Sequence, residues 1–117
     1  MIIVSGTLHF ADRAARDGAV AASHELQRAT RDTEPGCTAY VFTADPLSDT
    51  AVHVYEEWDD EASLAAHFAH PNYTNMRGVL RAFPRGAASS VRKLLVTRTE
   101  PVYDGTGTPR ADWFTGQ

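Results

Sequence analysis

Four stretches of this chain alternate apolar and polar residues with a period of two, and three others repeat their apolar residues every three or four positions. Over residues 2–10, Ile2, Val4, Leu8 and Phe10 fall on one side of an extended strand and Ile3, Ser5, Thr7 and His9 on the other. Asp12 then suits a helix cap, and Ala15, Ala19, Ala22, Leu26 and Ala29 recur at helical spacing to about residue 32, with Arg16, Glu25, Gln27, Arg28 and Arg31 left for solvent. Thr33-Glu34-Pro35-Gly36 stops that helix, because a proline pushes the residue before it out of the helical region. Residues 37–43 and 52–58 read as two strands joined by an Asp-Pro and Ser-Asp loop, and so as an antiparallel pair. On the second of these, parity places Val54, Glu56 and Trp58 on one face and His53, Tyr55 and Glu57 on the other.

Asp59-Asp60 supplies caps for a second helix, on which Leu64, His67 and Phe68 share a face. Pro71 suits the first turn of a further helical piece to residue 83, with Tyr73, Met76 and Leu80 on one side. Residues 91–99 alternate again as a fourth strand. The order is β-α-β-β-α-β, an α+β, ferredoxin-like arrangement in which a four-stranded antiparallel sheet takes its helices on one face. The first and fourth strands are apolar on both sides, so the opposite sheet face needs a cover, and a homodimer is the simplest one. Residues 100–117 form a tail that ends in Trp113-Phe114; it is read either as a flexible terminus or as a segment docked on the partner subunit.

Composition narrows the function classes. At 117 residues, 43% hydrophobic and 22% charged, the chain is one globular domain rather than a disordered one. A net charge of −4 with scattered basic residues gives no footprint for nucleic acid. No apolar run approaches membrane-spanning length and the amino terminus lacks a leader pattern, so no membrane role and a cytoplasmic location are expected. One cysteine, Cys37, permits no internal disulfide and is expected to be buried and inert.

The Glu34-Pro35-Gly36-Cys37 run, the Tyr55-Glu56-Glu57-Trp58-Asp59-Asp60-Glu61-Ala62 run, Leu64, Ala66-His67 and Pro71-Asn72-Tyr73 together resemble the antibiotic biosynthesis monooxygenase (ABM) domain family, over about residues 2–99. The resemblance implies a ferredoxin-like subunit that pairs sheet to sheet into a dimeric α+β barrel, and an activity that oxygenates quinol or phenolic, polyketide-type molecules with O2 and no flavin, haem or metal. Haem-degrading relatives use an Asn on the first strand; the two asparagines here are Asn72 and Asn75, so haem cleavage is not implied. The anthrone-oxidising relatives share the tryptophan found here as Trp58, but Val54 stands where they carry an Asn.

Cofactor-free oxygenation asks the protein for a base, a hydrogen-bond donor for a developing oxyanion, and a dry aromatic pocket. An imidazole accepts protons near neutrality, which makes His67 the expected base. Trp58 is the expected donor, and Glu56 completes the expected catalytic set. Phe42, Val54, Phe68, Tyr73 and Met76 are the expected substrate-binding wall. The competing readings are that His67 only hydrogen-bonds Glu56 or a carbonyl, that Trp58 and the other aromatics are plain core, and that the pocket belongs to a non-catalytic small-molecule-binding or stress-response protein. His67 and His70, three apart, raise a metal site with Glu56, but two histidines do not make one, and no metal or cofactor is expected.

Overall fold

The computed structural model describes residues 1–116. Its elements are β1 (Ile2–His9), α1 (Arg13–Thr33), β2 (Cys37–Ala44), β3 (Ala51–Trp58), α2 (Glu61–Phe68), α3 (Pro71–Arg81) and β4 (Ser90–Leu95). The strands form one antiparallel sheet in the order β2-β3-β1-β4. This is the ferredoxin-like arrangement, with its second helical region divided in two. The division comes at the Ala69-His70 step, where His70 leaves helical geometry and caps α3 by accepting the Asn72 amide at 3.0 Å. Pro71 follows as the first residue of α3, where its missing N–H costs nothing. Among the described residues no helix is long and apolar enough to cross a membrane.

Strand parity holds throughout β3: Val52, Val54, Glu56 and Trp58 are buried under the helices while His53 and Tyr55 face out. Phe10, Tyr40, Val52, Trp58 and His67 are the centre of the interior. Between β1 and β4 the strands approach so closely at Gly6 that a Cβ there would lie 2.2 Å from the Ser90 carbonyl oxygen, so only glycine fits.

The buried stripe of α1 differs from the alanine pattern. Ala22 is exposed, whereas Arg16 and Gln27, expected in solvent, are buried together with Ser23 and Thr30. The reason is that β2 is an edge strand, whose outer backbone groups need partners. The Gln27 carboxamide donates to the Phe42 carbonyl at 3.0 Å and accepts from the Phe42 amide at 3.2 Å, standing in for a neighbouring strand. Arg31 donates to the Tyr40 carbonyl at 2.7 Å, and the Arg16 guanidinium gathers the carbonyls of Asp45, Ser48 and Ala51. Helix position alone cannot reveal this, since the partners lie 9 to 35 residues away.

β4 ends earlier than the alternation suggests, at Leu95. Its residues on the helix side lack a helical roof: Val91 is 48% and Leu95 79% exposed. The other sheet face is open in the single chain and carries Ser5, Thr7, His53 and Tyr55 beside Ile3 and Val41. Beyond β4 the tail closes on itself. Glu100 accepts from the amides of Phe114 and Thr115, Asp104 accepts from Thr106 and Thr108, and Arg98 lies 4.9 Å from the centre of the Trp113 ring. The radius of gyration, 16.4 Å, exceeds the roughly 13 Å of a compact chain of this length, as a projecting arm requires.

Replacing Gln27 by alanine should lower stability by about 1–3 kcal/mol, because the Phe42 amide and carbonyl lose their partner in a buried setting. Urea unfolding of the Gln27→Ala variant measures it; a midpoint equal to that of the parent contradicts the account of α1.

Candidate functional site

The helices roof a cavity of about 420 Å³ over the middle of the sheet. Tyr40 and Phe42 from β2, Val54 and Glu56 from β3, and His67 from α2 line its inner part. Phe68, Tyr73, Met76 and Leu80 form the helical side, Val4, Leu8 and Val91 the strand side, and Arg77 and Arg85 complete the lining. The volume lies within the range that takes a small organic ligand, and the wall is mainly apolar with a few inward polar groups.

Each inward polar group is placed by local sequence. The Asp60 side chain caps α2 by accepting the Ser63 amide at 2.8 Å, which starts the helix at Glu61 and sets His67 two turns on, facing the sheet. Pro35 holds Glu34 extended at the end of α1, and Gly36, at φ 83°, lets the following turn press against α2; a Cβ there would meet Ser63 Oγ at 2.1 Å. That contact brings the Glu34 carboxylate under His67. Glu34 Oε1 lies 2.8 Å from His67 Nδ1, and Oε2 accepts from Asn72 Nδ2 at 3.1 Å. An ionised carboxylate only accepts, so the geometry assigns the proton of the neutral imidazole to Nδ1 and its lone pair to Nε2. Nε2 has no hydrogen-bond partner among the described residues, and the ring lines the cavity.

The second carboxylate is Glu56. It is buried, and its Oε1 accepts the Trp58 indole N–H at 2.9 Å. Burial pushes its pKa up from 4.5 to about 7, against the lowering by the indole bond and with a further push from the Glu34 charge. Tyr40 lines the same cavity, its ring edge-on to His67 at 5.4 Å. Burial raises its phenol well above the ordinary range, so it is a hydrogen-bond donor at neutral pH. Trp58 is wholly buried, stacks on His67 at 4.5 Å with a 33° tilt, and does not line the cavity.

The structure therefore brings Glu56, His67, Phe42, Val54, Phe68, Tyr73 and Met76 to one cavity, while Trp58 lies behind it and touches the lining residues Glu56, His67 and Tyr40. His67 bonds Glu34 and not Glu56. His70 is outside α2, with Nδ1 4.0 Å from Glu34 Oε2, and among the described residues no group of three or more His, Cys, Asp or Glu is placed to hold a metal ion. Cys37 is half-buried rather than fully enclosed, with its thiol pushed up to about 11, chiefly by burial. The sequence reading misses Glu34, which holds His67 from behind, and the lining residues Tyr40, Arg77 and Arg85. Tyr40 shares strand parity with Phe42, which was signal enough; Glu34 sits in a helix-stop run, where nothing local points to His67.

The sequence model described as antibiotic biosynthesis monooxygenase matches residues 1–79. No curated protein matches the chain. Among solved structures, one from Deinococcus radiodurans, named as a candidate antibiotic biosynthesis monooxygenase, is similar with a TM-score of 0.76 at 20% identity, covering 89% of this chain and 100% of that one. A similarly named structure from Caulobacter crescentus gives a TM-score of 0.74 at 18% identity, covering 83% and 90% of the two chains. A third, named antibiotic biosynthesis monooxygenase, gives 0.69 at 26% identity, covering 84% and 100%.

The Glu56 environment has a consequence for stability. Below about pH 4.5 the folded and unfolded chains both hold this proton; as pH rises to about 7 the unfolded chain releases it first, so stability falls by about 3 kcal/mol at most across that window. Glu56→Gln has no proton to lose and still accepts the indole N–H. Its stability relative to the parent should rise by about 2–3 kcal/mol between about pH 5 and pH 8 in urea titrations; a constant difference contradicts the burial-driven shift.

Proposed function

This chain belongs to the antibiotic biosynthesis monooxygenase family, and on that premise we propose that it oxygenates a small phenolic or quinol-like aromatic with O2 and without a bound cofactor. The observation that carries the proposal is the Glu34–His67 hydrogen bond, which leaves Nε2 as the basic atom lining an aromatic cavity. Nε2 takes the substrate's hydroxyl proton, and Glu34 stabilises the imidazolium that results. The phenolate gives one electron to O2, and the radical pair joins through a new C–O bond at a ring carbon bearing hydrogen. The peroxide takes a proton, its O–O bond breaks as that ring carbon loses its hydrogen, and water leaves. The sum is phenol plus O2 to quinone plus water, with the substrate as the only reductant.

In this reading Tyr40, which lines the cavity in its protonated form, donates to the developing oxygen charge, and Glu56, which holds its proton close to neutrality, supports proton return to the peroxide. Trp58 works from behind, fixing the Glu56 carboxyl through its indole N–H and the His67 ring by stacking. Val54, Phe42, Phe68, Tyr73 and Met76 hold the ring and exclude water.

Incubation with a panel of phenols, naphthols and quinols under air and under nitrogen tests the proposal. Oxygen-dependent loss of at least one member, with one O2 consumed per quinone formed, is the expected result; no oxygen-dependent turnover of any member overturns it. With a substrate in hand, His67→Ala should lower kcat/KM by about 10²–10⁴-fold. Tyr40→Phe should lower it by about 10²-fold, as removal of one oxyanion donor does elsewhere. Full activity in either variant contradicts the role assigned to that side chain.

A further inference from the structure

The cavity is apolar along its walls but carries two cations, Arg77 and Arg85. Arg13, Arg16, Arg28, Arg98 and Arg110 each pair with a carboxylate, and Arg31 bonds a backbone carbonyl. Arg77 and Arg85 have no carboxylate within salt-bridge distance among the described residues, although the chain has fifteen acidic residues against eleven basic ones. Arg81 and Arg92 are also without such a partner, but they do not line the cavity.

Both guanidinium groups rest on aromatic faces. Arg77 lies 5.6 Å from the centre of the Tyr73 ring, and Arg85 lies 5.0 Å from that of Phe10 and donates to Ser89 Oγ at 3.3 Å. A guanidinium over a ring face is held by the ring and still has N–H donors for a carboxylate, which it can take through paired hydrogen bonds. Both residues are exposed, whereas Glu56 and His67 are buried. An anion is therefore attracted at the rim, since the buried inner wall offers it no lysine or arginine.

The geometry points to a substrate that is a planar phenolic aromatic carrying a carboxylate, with the carboxylate held at the rim by Arg77 and Arg85 and the hydroxyl directed inward to His67. This deepens the proposed function and rests on that cavity being the substrate site. The arginines are specificity-determining residues; they take no part in the proton or electron transfers.

Calorimetric titration of the full chain with 6-hydroxy-2-naphthoate, whose hydroxyl and carboxylate lie at opposite ends of the ring system, and with 2-naphthol, with oxygen uptake recorded in parallel, tests it. The naphthoate should bind at least about tenfold more tightly at low ionic strength, as a charge-assisted hydrogen-bond pair implies. The preference should shrink with added salt and vanish in the Arg77→Gln/Arg85→Gln double variant. Equal affinity for the two compounds, a preference that survives in the double variant, or binding of neither overturns the assignment. A carboxylate preference without oxygen uptake supports the arginine pair and counts against oxygenation. Oxygen uptake with equal affinities does the reverse.

Discussion

The hydrogen bond between Glu34 and His67 is the constraint from which the site's arrangement follows. A carboxylate withdrawn from water is tolerated only when donors replace its hydration, and Glu34 finds two of them in different elements, His67 Nδ1 and Asn72 Nδ2. Those bonds tie the end of α1 to α2 and to the start of α3. The turn that allows them depends on Pro35 for an extended Glu34 and on Gly36 for contact with Ser63. A stop signal in the chain thus comes to hold, from behind, the imidazole that lines a cavity.

Two buried acids within one aromatic enclosure would be costly if they were alike. They differ in their donors. Glu34 is met on both oxygens, whereas burial of Glu56, with the Trp58 indole as its one donor and the Glu34 charge nearby, keeps its proton on to about pH 7. Divergent environments for neighbouring titratable groups are how one pocket supplies both an acceptor and a donor of protons. The Tyr40 phenol, held in its protonated form by burial, adds a second donor without adding charge. Trp58 serves this arrangement without touching the cavity, through one hydrogen bond and one stacked face.

Much of the fold is legible in local pattern. The parity of Val54, Glu56 and Trp58, the caps at Asp12 and Asp60 and the proline at the start of α3 are all decided within a few residues, and the structure contains each of them. What local pattern cannot carry is any partner distant in sequence. Gln27 and Arg16 look like solvent residues on α1 until the edge of β2 and the loop after it claim them. The same holds in the site. His67 and Glu56 are visible from strand and helix faces, but Glu34 acquires its meaning only across 33 residues, and the only hint of it was the Glu-Pro-Gly run shared with the family. The reading of Trp58 as a donor facing substrate rests on strand parity and on the tryptophan shared with the anthrone-oxidising relatives; parity says which side of the sheet a ring lies on, not whether its N–H is already taken.

The account stands on a single protonation pattern, Nδ1–H toward Glu34 and a bare Nε2 toward the cavity. Long-range proton–nitrogen NMR of the imidazole of His67 reads it directly in the resting protein. The account predicts the neutral Nδ1–H tautomer, lost or scrambled in Glu34→Gln. An Nε2–H tautomer in the parent, unchanged by that substitution, would contradict it.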